Sequence, residues 1–332
     1  MITISDIAKK ANVNKSTVSK ALNNSSDINY ETACEIRAVA KALGYEKRTR
    51  KTNAQKTMGI ITSEIDDAYY SKLIQDITAI AQADGYTCCV LTGEYNAINE
   101  ERAVNFMAEK NVSGVFFCIS ESGQTNKLYE RIKERGIPVV GVAEEGYDAD
   151  IDKIWINDKD GVDQAIEQLT SLGHSRIAYI GDKYGQERLN SFKSAMYKRG
   201  LSVDEKLIIL KQVRRFDCGY KGVKELIETG EKFTAIFAQY DDVAVGAIRA
   251  LAESGISVPD DVSIIGADDA LYCSYITPNL TSINFNTNYL CQVAFKILKN
   301  KINKKEKSVQ SVLIKPKLIV RETTVKAKSF ET

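Results

Sequence analysis

The chain has 332 residues, 44% of them hydrophobic, with 45 Lys and Arg against 44 Asp and Glu, a net charge of +1. That apolar content supports real cores and excludes wholesale disorder, and the longest apolar runs, such as 115–119, fall far short of the roughly 18 residues of a membrane span. One histidine and seven cysteines without a C-x-x-C pair exclude a disulfide frame and argue against zinc or histidine-centred catalysis. No catalytic residue, metal or cofactor is expected, and the thiols should be reduced and mostly buried.

The length allows two or three domains, and the charge divides unevenly between them. Residues 1–56 hold eleven Lys and Arg and five Asp and Glu, a net of +6, which leaves −5 for the remainder. A basic head on an acidic body points to a polyanionic partner for the head alone. The first ten residues reach Asp6 without an apolar signal region, which suggests a cytoplasmic protein.

Three short helices are expected in residues 1–45. Ser5 opens the first, with Ile4, Ile7, Ala8 and Ala11 at helical spacing. Asn14 can cap a second, running from Lys15 to Leu22. Asn29 can cap a third, from Tyr30 to Leu43, which Gly44 ends. On the second helix Lys15, Ser16, Ser19, Lys20 and Asn23 share an arc of roughly 140°, while Val18, Ala21 and Leu22 face the other way. This face has cations and short hydrogen-bonding side chains and no acid. It suits the major groove of DNA; an ordinary solvated helix face is the alternative.

Residues 4–23, ISDIAKKANVNKSTVSKALN, resemble the head of the LacI/GalR family of transcription regulators, whose motif runs close to D-[IV]-A-x-x-A-x-V-S-x-x-T-V-S-R-x-L-N. The resemblance implies that Lys15, Ser16 and Lys20 read bases, with Lys20 in place of the usual Arg. It implies that Thr17, Ser19 and Asn23 touch phosphates or position the helix. Residues 46–57 form a connector with five basic residues and one acid. They lack the proline and the leucine of the family's hinge helix, so Arg48, Arg50 and Lys51 are expected to contact the backbone or a narrow groove instead of a leucine wedge.

In residues 58–332 short apolar runs alternate with amphipathic stretches. Gly85, Gly136, Gly173, Gly200 and Gly255 each follow a helical stretch and precede a strand-like run. That rhythm argues for parallel sheets covered by helices on both faces. The motifs L-G-H-S-R-I-A-Y-I (172–180), R-L-N-S-F (188–192), A-I-F-A-Q-Y-D-D (235–242), V-S-I-I-G-A-D-D (262–269) and P-N-L-T (278–281) extend the resemblance through the body. It implies an α/β periplasmic-binding-protein-like core of two Rossmann-like lobes joined by three crossovers. One lobe would hold about 58–156 and 286–317, the other 157–285 and 318–332.

By the same resemblance Arg188 and Asp268 contact an effector in the cleft, although a mere surface ion pair is open to them. Tyr69, Tyr70 and Phe216 fall where the family places aromatic contacts, and are as readily core or interface residues. Glu144 and Asp158 are weaker candidates. Tyr240 stands where the family commonly has Asn, which should reshape the pocket or leave it degenerate. His174 has no nucleophile nearby and is expected to order its loop.

These features predict a sequence-specific DNA-binding transcriptional regulator and repressor, controlled by a sugar or sugar derivative bound between the lobes. As a homodimer it would read a pseudopalindromic operator in double-stranded DNA. A solute-binding sensor without DNA function and a ligand-independent regulator are the competing readings. An enzyme is disfavoured by the single histidine and the lack of a nucleophile pair.

Overall fold

Residues 3–22, 28–43, 45, 56–119, 125–143, 151–305 and 308–328 are described by a computed structural model, which divides into two units, 1–54 and 55–332.

In the first unit three helices, α1 (Ile4–Lys10), α2 (Lys15–Leu22) and α3 (Tyr30–Ala42), surround a small core of Ile7, Ala8, Val18, Ala21, Ala33, Ile36 and Ala40. The first helix starts before the expected Ser5. The Asp6 carboxylate accepts from the Thr3 N–H at 2.8 Å and its hydroxyl at 2.7 Å, which makes Thr3 the cap. Asn29 caps α3 as expected, its side-chain oxygen accepting from the Glu31 N–H at 2.8 Å. Arg37 of α3 donates through Nε to the Ala21 carbonyl at 3.1 Å and fixes the end of α2. Gly44 lies outside the described residues.

The second unit holds two six-stranded sheets. The first sheet uses β1 (Lys56–Thr62), β2 (Tyr86–Thr92), β3 (Gly114–Cys118), β4 (Val139–Ala143), β5 (Lys153–Ile156) and β11 (Ser311–Ile314), in the order β11-β5-β4-β3-β1-β2. Helices α4 (Ala68–Ala83), α5 (Ala97–Glu109), α6 (Thr125–Glu134) and α11 (Thr287–Ile302) accompany it. The second sheet uses β6 (Ile177–Asp182), β7 (Ile208–Lys211), β8 (Ala235–Ala238), β9 (Ser263–Ala267), β10 (Thr281–Asn284) and β12 (Lys317–Ile319), in the order β12-β10-β9-β8-β6-β7. Its helices are α7 (Asp158–Ser171), α8 (Gln186–Lys198), α9 (Arg215–Glu228) and α10 (Asp241–Glu253).

All pairings are parallel except β10 with β12. Parallel strands covered on both faces must be apolar throughout, and β3, β6, β8 and β9 are buried at every position. Gly85 (φ +81°) and Gly255 (φ +74°) end α4 and α10 in the left-handed region. A Cβ there would meet nothing within 4 Å, so the backbone angle and not crowding demands glycine.

The chain passes between the sheets three times: at Asn157, at Phe285–Asn286, and at Lys315–Pro316, two residues before the boundary expected at 317/318. His174 has both ring nitrogens engaged. Nε2 donates to the Val325 carbonyl at 2.9 Å and Nδ1 meets the Thr234 hydroxyl at 2.9 Å. Burial disfavours its charged form, and the two bonds tie the end of α7 to the chain before β8. All seven cysteines are free; Cys118, Cys218, Cys273 and Cys291 are buried, and Cys34 is exposed.

Candidate functional site

A cavity of about 110 Å³ opens where the carboxyl ends of the strands of both sheets meet, the place where open α/β sheets take their ligands. Arg188 lies on its floor, 6% exposed, on the first turn of α8. Its Nε and Nη2 donate to Asp158 Oδ1 at 3.0 and 2.7 Å, and Nη1 donates to the Gln239 carbonyl at 2.6 Å. The guanidinium carbon sits 5.0 Å from the Tyr240 ring centre and 5.3 Å from that of Phe285, so cation–π attraction adds to the ion pair. Arg188 is thus buried and committed to Asp158, and not an exposed partner of Asp268.

Asp268 follows β9 at φ +110°, a conformation costly for any residue with a Cβ. Burial pushes its carboxyl well above the usual range, opposed by Arg188 and reinforced by Asp67, Asp241 and Asp242. Its segment is anchored from behind. The fully buried Asp241 accepts from the Ser282 hydroxyl at 2.6 Å, the Ala270 N–H at 2.8 Å and the Cys273 thiol at 3.1 Å. Burial raises the Asp241 carboxyl to about 7.

The mouth of the cleft is bridged by charge. Glu64, after β1, accepts from Arg214 Nη1 at 3.0 and 2.9 Å, from Arg215 Nη2 at 2.7 Å and from the Tyr95 hydroxyl at 2.9 Å. Arg215 also donates to Asp66 at 2.7 Å. Tyr95 and Tyr184, one from each lobe, stack at 5.2 Å with the Arg214 guanidinium carbon 5.2 and 5.0 Å from their centres. Glu64 and both arginines are largely shielded, so these bonds are stronger than exposed pairs. Glu64→Gln should cost about 1.5–3 kcal/mol, read as a lower denaturant midpoint, and should open the lobes, read as a larger radius in solution scattering. An unchanged midpoint and radius would mean the bridge is not formed in solution.

Of the residues expected from sequence, Tyr69, Tyr70, Asp158, Arg188, Tyr240 and Asp268 line this cavity together. Tyr240 does not fill it; the ring lies against Arg188. Phe216 is a correction. It does not line the cavity and is 47% exposed, with its ring 6.3 Å from Tyr272. Arg215 at φ +58° turns the chain at the start of α9, and that turn gives Arg214 and Arg215 to the cleft in place of Phe216. Glu144 lies outside the described residues. Sequence reasoning missed Glu64, Asp67, Tyr95, Tyr184, Arg214 and Phe285. All lie within a few residues of a strand's carboxyl end, and that position is the signal that would have found them.

In the head, Lys15, Ser16 and Lys20 are exposed on α2, Thr17 and Ser19 half-buried, and Val18 and Ala21 buried behind them. The polar face and the apolar face thus separate as the spacing requires. Asn23, Arg48, Arg50 and Lys51 lie outside the described residues.

Residues 3–47 match the family described as bacterial regulatory proteins, lacI family, and residues 166–324 match a periplasmic binding protein-like domain. The chain is 31% identical to the HTH-type transcriptional repressor PurR of Escherichia coli O139:H28, over 97% of each chain. Among solved structures it resembles the transcriptional regulator CelR in complex with cellobiose, at a TM-score of 0.72 and 25% identity over 97% of this chain and 100% of that one. It also resembles the lac repressor dimer bound to operator and the anti-inducer ONPF, at a TM-score of 0.74 and 23% identity over 98% and 99%. No helix among the described residues is long and apolar enough to cross a membrane.

Proposed function

The chain belongs to the lacI family of bacterial regulatory proteins, DNA-binding transcription regulators and not enzymes, and we propose how its two units divide that work. Residues 1–45 read the operator, 46–57 connect, and the two lobes hold a small hydroxyl-rich effector. The protein acts as a homodimeric repressor in the cytoplasm, where its DNA is. The observation that carries the operator reading is the second helix: an acid-free face of Lys15, Ser16 and Lys20 outside a buried Val18 and Ala21. Lys15, Ser16 and Lys20 are assigned to base edges. Thr17, Ser19 and Asn23 are assigned to phosphates and positioning, and Arg48 and Arg50 to the backbone between half-sites.

The effector is assigned to Tyr69, Tyr70, Arg188, Tyr240 and Asp268, with Asp158 holding Arg188 in place; the cellobiose bound by the related CelR supports a carbohydrate-sized ligand. Because both lobes line one cavity, a ligand that binds the closed form better than the open form shifts lobe closure by that difference in affinity alone.

Selection of bound duplexes from random DNA tests the operator reading. Two-fold related half-sites are expected. Lys15→Ala and Lys20→Ala should each weaken the selected site by about 1–3 kcal/mol with little effect on random DNA. Equal loss on every sequence would reassign those lysines to phosphates, and no enrichment at all would refute the head as a reader.

A further inference from the structure

The charges around the inner half of the cleft do not cancel. Arg188 is held by Asp158, Arg214 by Glu64, and Arg215 by Glu64 and Asp66. Two carboxylates remain. Asp67 spends Oδ1 on the N–H groups of Tyr69 and Tyr70 at the start of α4, and its Oδ2 has no hydrogen-bond partner among the described residues. The Asp268 carboxylate, which feels burial and neighbouring charges alone, has none among them either. Asp67 comes from the first lobe and Asp268 from the second, and both line the cavity with the rings of Tyr70, Tyr240 and Phe285. Closing the lobes brings like charges toward each other across an aromatic-walled space, with no unspent cation among the described lining residues to separate them.

Such a space repels a phosphate or carboxylate, because each cation it holds is already paired. It welcomes a cation, which carboxylates attract and aromatic faces tolerate. A bare divalent ion fits poorly, since it wants six or more oxygens and no group of three or more potential metal ligands occurs among the described residues. We propose that the effector of this cleft is a hydroxyl-bearing molecule with a protonated amine, its ammonium seated between Asp67 and Asp268. The inference rests on the cleft being the effector site. It gives the ligand a reason to favour the closed form, since one ammonium bridges both lobes.

A proton is linked to this binding. The charged groups facing Asp268 are Arg188, Asp67, Asp241 and Asp242; those facing Asp67 are Glu64, Asp242 and Arg215, with Asp268 across the cavity. Burial raises both carboxyls, and an ammonium lowers them again. Seating the amine should therefore favour loss of protons from these carboxyls.

The test titrates the full-length protein with matched sets in the gluco, galacto and manno configurations: the hexose, the 2-amino-2-deoxyhexose, its N-acetyl derivative and the hexose 6-phosphate. In at least one configuration the aminohexose should bind at least tenfold tighter than its three counterparts. Its calorimetric heat should vary with the buffer's ionisation enthalpy as protons leave. Asp268→Asn, which keeps the shape of the side chain at the same positive φ, should erase both the advantage and the proton release. A hexose or N-acetyl derivative that binds as well as the amine, or a phosphate that binds better, overturns the amine and leaves the effector site standing. No response from any compound overturns both.

Discussion

Arg188→Met should lower stability by about 3–5 kcal/mol, the usual cost of removing one partner from a buried ion pair. The residue is 6% exposed, and its loss strands the Asp158 carboxylate and the Gln239 carbonyl at 2.6–3.2 Å from where its N–H groups stood. The rings of Tyr240 and Phe285 lose their cation as well. Much of the penalty is the isolated charge, so Arg188→Met with Asp158→Asn should recover more than half of it. Effector response should be absent in both variants, because the floor of the cleft is gone in both. Urea unfolding separates the two effects. A single-variant cost below about 1 kcal/mol would mean that water screens the pair and that the cleft floor stands open in solution.

The same cluster explains why part of the site was legible in the sequence and part was not. Arg188, Tyr240 and Asp268 were found through motifs that fix a residue type at a set distance after a strand. Asp158 was weighed lightly because a lone carboxylate just after a strand reads as a solvated loop charge. Only the fold shows that it opens α7, whose start lies beside that of α8. Glu64, Tyr95 and Arg214 carry no motif. Their significance is the bridge they make between segments about 150 residues apart, a juxtaposition created by the three passages between sheets. The alternation of apolar runs with Gly-ended helices gave the parallel sheets correctly, since fully buried strands are long in apolar residues. Strands β5, β10, β11 and β12 have only three or four residues, and β11 and β12 are half-exposed edges, too short for periodicity to separate them from loops. Phe216 was misassigned because one residue with positive φ, Arg215, changes which neighbour faces the cleft.

Gly219→Ala and Gly246→Ala should each destabilise the protein by about 3 kcal/mol or more, at or beyond the upper end of ordinary overpacking. A Cβ on Gly219 of α9 would stand 1.8 Å from the Val243 carbonyl oxygen, and one on Gly246 of α10 would stand 2.0 Å from the Phe216 carbonyl oxygen. Both obstacles are backbone, so no rotamer can yield and the helices must separate by more than 1 Å. An exposed helical Gly→Ala change normally gains close to 1 kcal/mol of helix propensity, so the expected sign is opposite to the local preference. Gly222→Ala, one turn along α9, is the control: its nearest contact is the Ile180 Cγ2 methyl at 2.6 Å, a side chain with some freedom, and it should cost less. The consequence reaches the cleft because these helices begin there. Arg214 and Arg215 open α9, and Tyr240 and Asp241 open α10. Spreading the pair moves the arginines that bridge to Glu64 relative to the carboxylate that anchors the Asp268 segment. A folded Gly246→Ala variant, if recovered at low temperature, should therefore show a weaker effector response as well as a lower melting temperature. Equal stability of the three variants would show that α9 and α10 are not in backbone contact.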